Sequence, residues 1–225
     1  MRMKSIGELY IVATPIGNIQ DITIRALETL RKADAIVCEE LREGSSLLKK
    51  LEIQPRELLT LNEHNEADAV PDLLMRLING QTLALISDCG TPVFADPGHA
   101  LIFEAAQSGV RVIPVPGVSS LMAALSILDF RPQQFFFAGF LPPKADQRRA
   151  ELLRLRALRC TIILMDTPYR MASLLQDVGR SFGKNHSITL ATDLTQPSER
   201  IYRGSVAEVQ QQAGPRKAEF ILIIH

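Results

Sequence analysis

The 225-residue chain is predicted to be an α/β protein of two lobes, and three observations predict it. Short aliphatic runs alternate with segments of helical period about five times before Asp129, the pattern of a mainly parallel sheet with right-handed crossovers. The run Phe135 to Phe140 is then broken sharply by Leu141-Pro142-Pro143-Lys144, so the domain boundary is placed between residues 138 and 139. Beyond it the strands come closer together, and Ser187–Thr192 with Glu199–Arg203 reads as a hairpin, which makes the second sheet mixed.

In chain order, Glu8-Leu9-Tyr10-Ile11-Val12-Ala13 is a short aliphatic strand of the kind buried on both faces. Thr14-Pro15-Ile16-Gly17-Asn18 turns out of it, and Asp21 or Thr23 caps a helix from Ile24 to Lys32, where Ile24, Leu27 and Leu30 recur at near-helical spacing. Asp34–Glu39 is a second strand that delivers Glu39, Glu40 and Arg42 at its carboxyl end, where open α/β sheets place their chemistry. A helix around Ser45–Leu51, a strand at Leu58–Leu61 and a helix from Glu66 to Asn79 closed by Gly80 follow. After the strand Thr82–Ile86 come a helix over 97–108, a strand Val110–Val115 and a helix opened by Pro116-Gly117-Val118-Ser119-Ser120. Past the proline break, a helix Ala145–Leu158, a strand Thr161–Asp166, a helix reaching Ser181, the hairpin, a helix capped by Ser205 and a last strand Glu219–Ile224 complete the second lobe.

Composition narrows the function classes. Hydrophobic residues make up 46% and charged ones 22%, as in an ordinary globular protein. No apolar run approaches the roughly 18 residues a membrane span needs, and the N-terminus lacks the long apolar core of a signal peptide, so a cytoplasmic protein with no membrane partner is expected. Cys38, Cys89 and Cys160 are odd in number and far apart, with no clustered histidines, which argues against a disulfide framework or a metal site. His64 has no metal-spaced partner and reads as a surface or locally bonded histidine. The net charge is zero, but residues 1–130 carry 11 Lys/Arg against 17 Asp/Glu and residues 131–225 carry 14 against 8. A basic half on a neutral protein points toward a phosphate-bearing partner. Of Arg148, Arg149, Arg154, Arg156 and Arg159, four fall within an arc of roughly 100° on a helical wheel, a stripe suited either to solvent or to nucleic acid.

The richest stretch is Ser87-Asp88-Cys89-Gly90-Thr91-Pro92-Val93-Phe94-Ala95-Asp96-Pro97-Gly98. Two X-Pro steps and two glycines directly behind a buried strand end the strand and let the backbone lie close to a ligand. The first strand is not followed by Gly-x-Gly-x-x-Gly, and the sequence holds no Gly-x-x-x-x-Gly-Lys-Ser/Thr, so neither a Rossmann dinucleotide site nor a P-loop is supported. Residue chemistry alone yields an α/β protein with a polar, proline-framed cleft, and no reaction.

The combination of Leu9–Asn18 with Asp21-Ile22-Thr23, Arg25-Ala26-Leu27, Glu63-His64-Asn65-Glu66, Ser87–Pro92 and Asp96-Pro97-Gly98 resembles the ribosomal RNA small-subunit methyltransferase I family of the tetrapyrrole methylases, the class III methyltransferases. Pro116-Gly117, Gly139-Phe140-Leu141-Pro142 with Lys144 and Arg148-Arg149, and Leu194-Thr195 extend the match over nearly the whole chain. The resemblance implies a two-lobed tetrapyrrole methylase-like fold, usually homodimeric, that binds S-adenosylmethionine in the cleft between its lobes. It also implies transfer of methyl to a ribose 2′-hydroxyl of a cytidine in the 16S rRNA of the small ribosomal subunit. Carried over by motif, the cofactor set is Pro15, Asp88, Gly90, Thr91, Phe94, Ser119 and Ser120 from the first lobe, with Met165, Ala191 and Glu219 from the second. The RNA-facing set is Asn18, Arg42, Lys144, Arg148 and Arg149. Glu39 is the candidate base, because removing a hydroxyl proton needs an acceptor within reach; structural capping or pairing with Arg42 is the alternative for it.

Three motifs depart from the family pattern: Glu39-Glu40-Leu41-Arg42 stands for Glu-Asp-Thr-Arg, Asp166-Thr167-Pro168-Tyr169-Arg170 for Glu-Ser-Pro-His-Arg, and Thr192-Asp193-Leu194-Thr195-Gln196 for Arg-Glu-Leu-Thr-Lys. The helical C-terminal extension of many members is not among these residues. Two other readings therefore stay open: a methyltransferase of the same superfamily with a small-molecule or tetrapyrrole-like acceptor, and a non-catalytic module that binds S-adenosylmethionine or RNA.

Overall fold

The structure, a computed structural model, describes residues 6–93 and 96–225. The chain divides into two compact units, residues 1–119 and 120–225. The division falls earlier in the chain than the proline break used to place the 138/139 boundary.

In the first unit β1 (Glu8–Val12), β2 (Ala35–Cys38), β3 (Leu58–Thr60), β4 (Leu83–Ile86) and β5 (Arg111–Val115) form one sheet of order β3-β2-β4-β1-β5. Every pairing is parallel, as the repeated βα pattern requires. Alternation along the strands assigns each face its helices. Leu9, Val37, Leu83 and Leu85 pack with Leu73 and Leu77 of α3 (Glu66–Ile78) and Leu101 and Ala105 of α4 (His99–Gln107). Val12, Ile36, Ala84 and Ile86 pack with Ala26 and Leu30 of α1 (Ile24–Lys32) and Leu48 of α2 (Leu41–Lys50). Both faces are covered, so the strands read as continuous aliphatic runs in the sequence.

Helix ends follow local chemistry. Thr23 caps α1 by accepting from the Ala26 amide at 3.1 Å. Gly80, at φ +92°, follows α3 and donates to Leu77 O, while Gln81 N reaches Arg76 O, so the left-handed residue satisfies carbonyls that the helix leaves open. α2 corrects a sequence expectation: it starts at Leu41, not near Ser45, and Arg42 lies in its first turn instead of at a strand end. Gly44 permits this, because a Cβ there would stand 2.6 Å from the Cys38 sulfur; the helix passes close over its own preceding strand.

The second unit holds β6 (Phe135–Gly139), β7 (Thr161–Asp166), β8 (Ser187–Thr192), β9 (Arg200–Ser205) and β10 (Phe220–Ile224) in the order β6-β7-β10-β8-β9. Only β6 and β7 pair in parallel; the other neighbours are antiparallel, including the β8–β9 hairpin. The mixed sheet is as the sequence predicts. One face packs on α6 (Ala145–Arg156), α7 (Met171–Phe182) and α8 (Val206–Ala213), the last opened by a capping box between Ser205 and Glu208. The other face, with Ile163, Ala191, Ile221 and Ile223, carries α5 (Ser120–Ser126) through Ala124. Among the described residues no helix is long and apolar enough to cross a membrane.

Candidate active site

The carboxyl ends of the parallel strands in the first unit are tied to one another by main chain. Thr14, completely buried, donates from its amide to Gly90 O at 2.8 Å and accepts from Gly90 N at 3.1 Å, while its hydroxyl donates to Ser87 O at 3.2 Å. Thus the Thr14-Pro15 turn and the Ser87–Gly90 loop are zipped into a short antiparallel bridge. Gly90 sits at φ +81°, and a Cβ on it would meet Ile16 at 3.2 Å, so glycine is what lets this loop lie flat on its neighbour. Thr91 Oγ1 donates to Val118 O at 3.0 Å, and Ala13 N donates to Val115 O at 3.1 Å; both tie in the segment that ends at Ser119. Three separate strand-end loops thereby become one rigid edge.

The glycine-proline loop is anchored at its far end too. Glu66 accepts from the Gly98 amide at 3.0 Å, and Gly98 takes φ +125° where a Cβ would press on Leu85 at 2.9 Å. Asn65 ties the preceding turn down, donating to Thr60 O at 3.2 Å and accepting from Asn62 N at 2.7 Å. These bonds give the Glu63-His64-Asn65-Glu66 motif a positioning role, with His64 itself exposed beside Glu63. Val93 holds φ +69°, a left-handed geometry that a β-branched residue rarely adopts. Phe94 lies outside the described residues.

Carboxylates gather on this edge. Glu39, half-buried just past β2, has its carboxyl held above the usual range, first by burial and then by Asp88, Asp96, Glu40 and Glu63. Asp88 reaches solvent, yet burial together with Glu43, Glu40 and Asp96 pushes its carboxyl up, opposed by a hydrogen bond from the Glu40 backbone. Burial is also the main reason that the Cys38 thiol is raised to about 11, with Asp88 and Glu40 adding to it, so Cys38 is an inert buried thiol. Among the described residues Glu39 and Arg42 form no ion pair, and the pairing alternative for Glu39 fails. Pro15, Asp88 and Cys89 share a depression of about 200 Å³ with Glu43 and Lys50 of α2. Asn18 caps a turn, its side chain accepting from Gln20 N at 3.0 Å. Thr14, Asp96 and Glu63 stand inside the sequence motifs but carry no site role there. The acid excess of the first half was the signal for the last two; a threonine between a buried strand and a proline was the signal for the first.

In the second unit Met165 and Ala191 both pair with Ile221, from opposite sides. They lie in one row across β7, β10 and β8, on the face that carries α5. Glu219 precedes β10; its backbone oxygen accepts from Asp193 N at 2.8 Å, and burial followed by Asp193 raises its carboxyl. Ser120 begins α5. Next to this row the charges are paired: Arg170 with Asp166 at 3.2 Å, Arg216 with Asp193, and Lys217 4.5 Å over the Tyr169 ring. Asp193 and Thr195 both hold left-handed backbone, at φ +48° and +67°.

The basic stripe is corrected. Arg148 is buried, with Nε and Nη2 on Asp177 at 2.8 and 2.6 Å and Nη1 on Pro143 O at 2.9 Å. It shares an inward face with Leu152, which is fully buried, so the stripe is not one surface: its Arg148 end packs on α7, whereas Arg156 and Arg159 are exposed. A helical wheel shows which residues share a face, not which way the face points. Arg148 is an internal tie with no spare edge for a phosphate. Arg149 is half-buried and pairs with Asp146, and Lys144, at the start of α6, is exposed.

Comparison with known proteins agrees with this architecture. Residues 8–210 match the family model for tetrapyrrole (corrin/porphyrin) methylases. Ribosomal RNA small subunit methyltransferase I of Mesorhizobium japonicum is 40% identical over 96% of this chain and 74% of its own length. The protein of that name from Xylella fastidiosa is 40% identical over 99% of this chain and 82% of its own. Among solved structures, the uroporphyrin-III C-methyltransferase of Thermus thermophilus in complex with S-adenosylhomocysteine superposes with a TM-score of 0.67 at 19% identity, covering 97% of each chain. With the glycine-rich strand-end loops, the parallel first sheet and the mixed second sheet all in place, the chain belongs to the tetrapyrrole methylases and, within them, to the ribosomal RNA small subunit methyltransferase I family.

Proposed function

We propose that the chain transfers a methyl group from S-adenosylmethionine to the ribose 2′-hydroxyl of a cytidine in the 16S rRNA of the small ribosomal subunit, as a cytoplasmic homodimer. The observation that carries this reading is the rigid edge of the first unit, where Glu39 keeps a raised carboxyl beside loops fixed by Thr14, Gly90 and Thr91. The names of the relatives supply the substrate class, ribosomal RNA.

The residues fit the cofactor. The left-handed turn at Gly90 seats its loop on the Thr14-Pro15 turn without a Cβ in the way and leaves Asp88 and Thr91 exposed at the edge, polar groups that suit the hydroxyls of a ribose. The first unit's residues for it would be Pro15, Asp88, Thr91, Phe94 and Ser119; the second unit's would be Ser120, the apolar Met165–Ala191 row and the backbone at Glu219. When bound, S-adenosylmethionine supplies a methyl already activated on a positively charged sulfur, so the chain's own task is alignment and desolvation. Glu39 then takes the 2′-hydroxyl proton; its raised carboxyl brings it nearer to an alcohol's basicity than an ordinary surface glutamate. Arg42, Asn18, Lys144 and Arg149 remain for the RNA strand, and Arg148 is withdrawn.

The test is incorporation of labelled methyl into purified small ribosomal subunits that lack the modification, followed by nuclease mapping of the labelled nucleotide. Label on a cytidine ribose is expected. Absence of label with demonstrable S-adenosylmethionine binding would overturn the acceptor. Glu39→Gln should lower kcat by about 10²-fold or more, the usual contribution of a general base, with cofactor affinity kept. Light scattering tests the dimer, expected at twice the 24.9 kDa of the chain.

A further inference from the structure

At the end of the second sheet remote from the Met165–Ala191 row lies a cavity of about 1000 Å³, contained wholly within residues 130–225. It opens between the segment before β6, the carboxyl end of α6, the start of β7 and His225, which follows β10. Arg131, Arg156 and Arg159 line it, and among the described residues no Asp or Glu does. The side chains of Arg131 and Arg159 are exposed and make no ion pair with described residues. Arg156 uses one N–H on Ser181 O at 2.8 Å, which aims the guanidinium.

The walls are aromatic. Phe130 and His225 have ring centroids 4.3 Å apart, and Phe182 and His186 5.2 Å apart. Both imidazoles are held, His186 Nε2 at 2.9 Å from His225 O and His225 Nε2 at 3.0 Å from Thr189 Oγ1. Asp129 acts on His225 from the adjoining turn, but burial dominates and keeps that ring toward its neutral form. The cavity thus offers fixed planar rings for stacking and three guanidiniums for anions, from two separate elements.

An unpaired arginine at a helix carboxyl end is common, since it complements the helix dipole, and this explains Arg156 and Arg159 taken alone. It does not explain Arg131, which comes from another segment and faces the same space. Arginine beside aromatic rings is the combination that holds single-stranded nucleic acid, guanidinium on phosphate and ring on base. The volume is at the upper end for small-molecule sites and far larger than a lone phosphate requires. We infer that this cavity is a second RNA site, which grips a single-stranded segment of the ribosomal RNA substrate away from the methylated nucleotide. The inference rests on the proposed RNA substrate.

The experiment is direct binding, independent of turnover. Anisotropy of a fluorescein-labelled single-stranded oligoribonucleotide is followed over a salt series for the full chain, for Arg131→Gln with Arg159→Gln, and for the two charge reversals. Loss of two phosphate contacts should lower the slope of log affinity against log salt by about 1.4 and weaken binding about tenfold or more for the reversals. Binding of S-adenosylmethionine by calorimetry should stay at the parent value, which shows that the variants are folded. A salt slope unchanged in the folded variants overturns the site, and so does full competition by cytidine 5′-monophosphate at low concentration, which would make the cavity a mononucleotide pocket. If ribosomal subunits take no methyl label but the slope falls, the proposed acceptor fails and the RNA cavity stands. If label enters normally and the slope is unchanged, the cavity alone fails.

Discussion

The two units place charge at the carboxyl ends of their strands in opposite ways. In the first, the loops are fastened to one another by backbone and hydroxyl groups, Thr14 to Gly90 and Thr91 to Val118, and Glu39, Asp88 and Asp96 are left to repel one another. In the second, Asp166 meets Arg170 and Asp193 meets Arg216 at strand ends, and behind them Asp177 of α7 meets Arg148 of α6. Neutral fastening leaves acids available for chemistry, whereas paired acids are occupied with holding the fold. Asp166 marks the limit of this rule: its carboxyl is raised by burial despite Arg170, and Oδ2 has no partner.

Breaking the paired side should have the largest effect. Arg148→Ala leaves Asp177 buried with only the partly exposed Arg180 at 3.5 Å, and removal of one partner from a buried pair costs about 3–5 kcal/mol. Denaturant unfolding should show that loss, whereas Arg148→Met with Asp177→Leu should recover most of it. A small loss in the single variant would mean that the pair is not structural. Breaking the neutral fastening should cost less: Gly90→Ala forces a Cβ onto Ile16 at a left-handed φ, about 1–2 kcal/mol. Because the strain falls on the candidate site, calorimetry should show cofactor affinity falling with it.

The smallest effect sharpens the contrast through pH. A carboxyl whose folded pKa is raised binds its proton more tightly in the native state, so stability declines as pH rises from the unfolded value through the folded one. Glu39 and Asp88 are both of this kind. Glu39→Gln with Asp88→Asn should therefore raise Tm at pH 7 by about 1–2 °C, with the gain vanishing near pH 4. Tm changes of the same sign and size at both pH values would show that the acids do not oppose folding. Activity runs the other way: if Glu39 is the base, methyl transfer falls as pH drops through its raised pKa, and the Gln variant loses that limb.

The sequence by itself determined the αβ order, the parallel first sheet, the hairpin in the second, the Ser205 cap and the family, because each is written in local periodicity, turn chemistry or contiguous motifs, while for α1 it left Asp21 and Thr23 as alternative caps and the structure chose Thr23. The start of α2 was not legible, since its opening Leu41-Arg42-Glu43-Gly44 contains a glycine whose reason is the Cys38 sulfur beneath it. Only the tertiary structure decided that Arg148 faces inward to Asp177, that Asp96 and Glu63 act on Glu39, and that Arg131 and Arg159 share one cavity. The physical reason is the same in each case. The charge on a side chain is local, but the partner that neutralises it, raises its pKa or leaves it free comes from an element distant in sequence.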